Sequence, residues 1–248
     1  MKSTYTSSLL AHFIRSRTKD GPVSLDNQFR ILARIIDFGC LSSNASSDPN
    51  YRCTKGYAGM ATNRSARSAV FTRGDLFAQQ CVCFCDIPSE GLDIHVSKYG
   101  SFGLAFEKQY LVPMGATPAF YVATDSLGIR DMTRGEDFDE RIADYFTLKD
   151  LMEANRNDLM RQASTRGIVE RFEKISSFLE FTVLGLLKPF DTRLPDAAPE
   201  NVYLEREWRV LGDISFDQEN VAKVYAPPGQ VKRVEERFPA LVGRIVSP

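Results

Sequence analysis

The sequence predicts an α+β protein with a helical insertion in its middle. Three observations carry that prediction. Strand-like runs such as "LLAHFIR" and "CVCFCDIP" fill the first half of the chain. Others, "YLEREWRV" and "VAKVYAP", return near its end. The stretch from about 135 to 188 between them is helical in pattern. Strands at both ends with helices between them suggest the α+β class. We read the 248 residues as one domain, 1–248, carrying that insertion.

The elements follow in order. "LLAHFIR" is a short strand that contains His12. In "SLDNQFRILARIIDFG", residues 24–39, Leu25, Phe29, Leu32, Ile35 and Ile36 recur at helical spacing. Ser24 is the expected N-cap of this helix and Gly39 its stop. Residues 42–75 read as irregular. "CVCFCDIP" is a buried strand ended by Pro88, and "SEGLDIHVSKYG" a short helix ended by Gly100. "SFGLAF" and "AFYVAT" are two further strands. In the insertion, Ile168, Phe172, Ile175, Leu179, Val183 and Leu186 form a helical stripe that Pro189 stops. "GQVKRVEERF" is a helix and "VGRIV" a final strand.

Composition bounds the function. Hydrophobic residues at 43% and charged residues at 25% suit a folded soluble protein. With 31 basic and 32 acidic residues, the net charge of −1 gives no global case for binding nucleic acid or membranes. "MKSTYTSSLLAHFIRSR" lacks the apolar core of a signal peptide. No run approaches the roughly 18 apolar residues of a membrane helix. The five cysteines, Cys40, Cys53, Cys81, Cys83 and Cys85, are an odd count without a signal, which argues for reduced thiols and a cytoplasmic location.

Several side chains invite chemistry. On "YLEREWRV", strand alternation would turn Leu204, Trp208 and Val210 one way and Glu205, Glu207 and Arg209 the other. Two carboxylates two residues apart on a strand lie about 6–7 Å apart on one side. That pattern fits a solvated sheet face as well as a catalytic pair. Arg209 on the same face is placed to pair with Glu207. From Tyr51 to Gly74 there is no acidic residue, while Arg52, Lys55, Arg64, Arg67 and Arg73 all occur. Arginine forks suit phosphate oxygens, so this loop is either a solvated segment or an anion site. His12 and His95 read first as packing residues. Cys81, Cys83 and Cys85 project from one strand face with no second ligand pair elsewhere, so they read as small buried thiols and no metal is expected.

The order of these pieces resembles the AbiGi family of abortive phage-infection proteins. The resemblance runs from about His12 to the final strand and is densest in "VCFCDIPSEGLDIHVSKYGSFGLAFEK" and "EREWRV". It implies a role in phage defence or a toxin–antitoxin pair, with a cognate partner protein from the same defence operon. The layout is also similar to ADP-ribosyltransferases, above all the bacterial toxins that modify DNA bases. "CFCDIP" stands where the arginine-modifying class of those enzymes carries a Ser-Thr-Ser strand.

The second resemblance implies a split, mixed or antiparallel β core of the ADP-ribosyltransferase type, with NAD as substrate. His12 would contact the ribose, Arg52, Arg64 or Arg67 the pyrophosphate, and Tyr99 or Phe102 the nicotinamide ring. Glu207 would stabilise the cationic ribosyl group as nicotinamide leaves, since a fixed charge in a dry site lowers such a barrier by several kcal/mol. Glu205 would orient the acceptor, a nucleic acid, a protein or, in a glycohydrolase, water. The alternative is a non-enzymatic antitoxin or sensor that binds a protein partner through the helical insertion. Exposed apolar residues on that insertion would mark it.

Overall fold

The computed structural model describes residues 7–15, 17–18, 21–42, 61–62, 77–78, 81–88, 91–124, 126, 138–195, 198 and 201–248. In chain order these form β1 Leu9–Phe13, β2 Arg17–Thr18, β3 Gly21–Pro22, α1 Leu25–Phe38, β4 Cys40–Leu41, β5 Ala61–Thr62, β6 Phe77–Ala78 and β7 Cys81–Cys85. Next come α2 Asp93–Tyr99, β8 Gly103–Glu107, α3 Lys108–Leu111, β9 Thr117–Pro118 and β10 Phe120–Ala123. The helices α4 Phe138–Ala154, α5 Arg156–Arg161 and α6 Ala163–Phe178 lead to β11 Leu187–Phe190. The chain closes with β12 Glu207–Leu211, β13 Ile214–Ser215, β14 Val221–Tyr225, α7 Val231–Arg237 and β15 Ile245–Val246. The residues fall into two compact units. One holds 1–58, 80–119 and 195–248; the other holds 59–79 and 120–194.

The first unit is built on a sheet of order β15-β14-β8-β1-β7-β12-β9. Its ladders are antiparallel except for β14 with β15, so the sheet is mixed. Cross-strand partners share a face. His12 stands opposite Leu104, Trp208 opposite Phe84, and Val210 opposite Val82. That face meets Phe29, Leu32 and Ile36 of α1 in the larger core. The other face carries Ala11, Ala105 and Cys85, which pack with Leu92 and the half-buried Val96 and Tyr99 of α2. Residues 103–106 of β8 are buried on both faces, which is why "GLAF" is a continuous run rather than an alternating one.

Helix α1 forms where its sequence predicts. The Ser24 hydroxyl accepts from the Asn27 N–H at 3.3 Å, satisfying one donor that the first turn leaves open. Gly39 takes the left-handed conformation, φ 57°, and its N–H closes back on the Ile35 and Ile36 carbonyls. A β-carbon there would also clash with the Phe216 carbonyl.

The second unit is described by itself. Strands β10 and β11 pair in parallel, and β5 pairs antiparallel with β6. The helical pattern expected over about 135–188 is present as α4, α5 and α6, followed by a π-helical turn Leu179–Val183 and a 3₁₀ turn Leu184–Leu186. Leu184 and Leu187 form a small core with the half-buried Val122, Phe138, Ile142 and Tyr145. Beside it lies a buried polar knot. Glu180 accepts from Lys149 at 2.6 Å and from the Tyr145 hydroxyl at 2.7 Å. The same hydroxyl lies 2.9 Å from the Ser176 Oγ.

"AFYVAT" is a strand as expected, and it pairs with β11. Three expectations need correction. The strand "YLEREWRV" begins only at Glu207, because Tyr203–Glu205 is a 3₁₀ turn and Arg206 is left-handed with φ 44°. On α6 the buried face carries Val169 and Ser176, whereas Ile168 and Ile175 of the expected stripe are exposed. The thiols are not uniformly reduced and buried. Cys40 is disulfide-bonded, to a partner outside the described residues. Of the reduced thiols, Cys85 is buried, Cys81 half-buried and Cys83 exposed.

Replacing Gly39 by alanine should destabilise the protein by at least ~1 kcal/mol. A left-handed non-glycine residue alone costs about 1–2 kcal/mol, and the Phe216 carbonyl must also shift. Urea denaturation of Gly39→Ala against the parent measures this, and an unchanged midpoint refutes it.

Candidate functional site

The face of the sheet under α2 gathers an unusual density of charge. Glu207 opens β12, opposite Cys85 of β7, and Arg209 stands opposite Cys83. Both side chains are buried, and the Arg209 Nε donates to the Glu207 Oε1. Glu205 is buried as well. Its Oε1 accepts from the Lys98 ammonium at 2.5 Å and from the Tyr99 hydroxyl, both at the end of α2. The left-handed turn at Arg206 lets both acids reach this layer although they do not share a strand. That turn is held by the Asp86 N–H, which donates to the Arg206 carbonyl at 3.2 Å.

The electrostatics follow from this packing. Glu205 and Glu207 bring two negative charges, and Lys98 and Arg209 bring two positive ones. Burial works against the Arg209 cation, but the Glu207 carboxylate, together with the neighbouring Cys83 and Cys81, holds its pKa above the ordinary value. Burial, reinforced by the Glu205 carboxylate, pushes the Tyr99 phenol far up, so it stays a donor. The hydrogen bond with Cys81 is the largest cause raising the Cys83 thiol well above its ordinary value, and the Glu207 charge adds to it. Burial pushes Cys85 up to about 12.

A second, smaller pair lies next to this cluster. Asp86 accepts from Lys108 at 2.8 Å and from the Ser7 N–H at 3.0 Å. The Lys108 ammonium sits 5.1 Å from the centre of the Trp208 ring, within cation–π range.

The structure brings together Glu205, Glu207 and Tyr99, three of the residues singled out from sequence. It does not bring His12 to them. His12 lies on the opposite sheet face, edge-on to Phe84, and its Nδ1–H donates to the Cys83 carbonyl at 2.8 Å. The β1–β7 ladder registers at Ala11 opposite Cys85, so this side chain adds a bond two residues further along β7. Burial lowers the His12 pKa, which suits the neutral ring that such a bond uses. Phe102 is fully buried in the larger core against the Phe29 ring, leaving no face for an incoming base. Arg52, Arg64 and Arg67 lie outside the described residues. His95 is buried beside the Tyr99 ring. Lys98 is the site residue that sequence reasoning missed; its one signal was its place before Tyr99 in "SKYG". Among the described residues, no group of three or more His, Cys, Asp or Glu side chains could hold a metal ion. No described helix is long and apolar enough to cross a membrane.

Together these features define an α+β protein with a mixed seven-stranded sheet and a buried cluster of paired charges on one face. A family profile described as "Putative abortive phage resistance protein AbiGi, antitoxin" matches residues 60–237. That is more than half of the chain, and the chain belongs to the AbiGi family. No curated protein and no solved structure matches it, so the ADP-ribosyltransferase resemblance has no counterpart in these comparisons.

Two outcomes are expected. Arg209→Met strands the buried Glu207 charge and should cost about 3–5 kcal/mol. Adding Glu207→Gln to it should recover part of that loss. A double-mutant cycle by urea denaturation checks this, and additive losses would refute the coupling. The second concerns acid. His12 has a folded pKa below its ordinary 6.5, so its stabilising share is complete above that pH. It is lost as pH falls from there toward the folded value. Denaturation at pH 7.5 and pH 5 should show a smaller acid loss for His12→Asn than for the parent; equal losses refute it.

Proposed function

We propose that this chain is the non-catalytic, antitoxin member of an abortive-infection pair, and that it binds its partner protein through apolar stripes on the helical segment. One observation carries the reading. Leu148 and Leu151 on α4, and Ile168, Ile175 and Phe178 on α6, are between 50 and 61% exposed. Isolated exposed apolar residues are ordinary. Here they recur at spacings of three and seven along their helices, so each set occupies one helical side. Large apolar side chains grouped in this way mark interaction surfaces. The word "antitoxin" in the family description is the reason for choosing a toxin as that partner.

The buried cluster agrees with this reading. Glu207 is committed to Arg209, and Glu205 to Lys98 and Tyr99. Groups so occupied hold elements together; they do not wait for a substrate. A second reading makes NAD the substrate, with Glu207 against the ribosyl cation and Glu205 toward the acceptor. Its support is the gathering of Glu205, Glu207 and Tyr99 in one cluster, as the ADP-ribosyltransferase resemblance implies.

The test is a binding measurement with the toxin of the abortive-infection pair that this reading assigns to the chain. Leu151→Glu and Ile175→Glu together should weaken the complex at least ~100-fold, since central interface residues often contribute 2 kcal/mol or more each. Circular dichroism must show the variant folded. Undiminished binding by a folded variant overturns the proposal. The second reading is tested with labelled NAD: nicotinamide release that disappears in Glu207→Gln supports it, and no release with the partner present rejects it.

A further inference from the structure

We propose that the apolar side chains of α4 and α6 form one patch, which a second copy of this chain covers when the partner protein is absent. Leu148 of one copy seats on Phe178 of the other, and Leu151 on Ile175. The two helices run antiparallel. Phe138 and Ile142 near the start of α4 pack with Leu184 and Leu187. Further along, the Tyr145 hydroxyl lies 2.9 Å from the Ser176 Oγ and Lys149 donates to Glu180 at 2.6 Å. Arg156, at the start of α5, reaches back to Glu173 at 2.7 Å. Partner numbers fall as the chain advances, and the same pairing sets Leu148 level with Phe178 and Leu151 level with Ile175.

The four side chains also turn to one side. At about 100° per residue, Leu148 and Leu151 lie roughly 120° round α4 from Ile142, Tyr145 and Lys149, which face inward. Ile175 and Phe178 lie roughly 140° round α6 from the buried Val169 and Ser176, in the same rotational sense. Viewed from one end, an antiparallel partner has its sense reversed, so the two stripes come to the same side of the helix pair. All four side chains are between 50 and 58% exposed there.

Self-complementarity selects the occupant. A two-fold axis running along the helix pair lays α4 of one copy over α6 of the other. Residues that are level in one copy stay level across that axis. Each leucine therefore meets the large apolar side chain it already stands beside in its own copy, and both contacts are made twice. The same axis brings Arg171, one turn before Ile175, to the end of the other copy's α4 at Ala154. Open carbonyls at a helix C-terminus favour a cation. Four anchors a side fall short of the roughly 20–30 residues of a standard interface, so the pair is weak and exchanging. A partner with a larger matching surface displaces it.

The experiment is analytical ultracentrifugation of the full chain from about 1 μM to about 1 mM, the range in which weak pairs dissociate. The parent should pass from monomer toward dimer. Leu148→Lys and Phe178→Glu, each shown folded by circular dichroism, should each weaken the dimer at least ~10-fold, a loss of about 1.4 kcal/mol. An equimolar mixture of the two should recover a mixed dimer, because the introduced lysine meets the introduced glutamate and the unaltered phenylalanine meets the unaltered leucine. Leu151→Ser, a milder change, should also weaken association and replaces a charged variant that does not fold. A parent that stays monomeric, variants that associate like the parent, or a mixture no better than its components each overturns the proposal. A monomeric parent that still binds the toxin leaves the function proposed above standing; a dimer that binds no toxin rejects that function and not this pairing.

Discussion

The burial of Glu207 depends on Arg209, which is buried with it. An isolated carboxylate in this layer would cost several kcal/mol, and its partner sits two residues away on the same strand face. That pairing fixes which face of β12 turns toward α2, since a slip of one residue would send both charges into the larger core. With the register set, Trp208 and Val210 fall on the α1 side. Glu205 repeats the rule with cations and donors borrowed from α2, so the cluster also ties that helix to the sheet.

Much of the first unit was legible because its signals are local. Ser24, the 3.6-residue spacing and Gly39 specify α1 without reference to anything else. The run from Gly103 to Phe106 announces a strand covered on both faces. Arg206 was not legible. No sequence rule places an arginine at positive φ, so strand alternation read from Tyr203 runs four residues too far and makes Glu205 a neighbour of Glu207 on one strand. The two acids meet in one layer all the same, by a turn instead of by alternation. His12 illustrates the opposite limit. Its strand was correctly read, but only cross-strand register shows that it faces away from the acids.

The helical segment teaches a different lesson. Periodicity identifies a stripe, and on α6 it singled out Ile168 and Ile175. It does not say what covers the stripe. The face that α6 buries lies one residue further round and carries Val169, Ser176 and then Glu180, tied to Tyr145 and Lys149. A polar knot takes the interior position that the apolar stripe would fill in an ordinary amphipathic helix. The inversion leaves Ile168, Ile175 and Phe178 outside, and these are the side chains on which the proposed partner surface rests.

The π-helical turn at Leu179–Val183 bears on how such a surface could be retuned. A π-turn holds one residue more than an α-helical turn needs, and each residue advances a helix by about 100°. It therefore acts as a phase shift between α6 and the strand β11 that follows. Loss of a single residue there would restore an uninterrupted helix and rotate Ile168, Ile175 and Phe178 as a block relative to β11, with no side chain altered. In this part of the chain, insertions and deletions would redirect the exposed apolar side chains more steeply than substitutions.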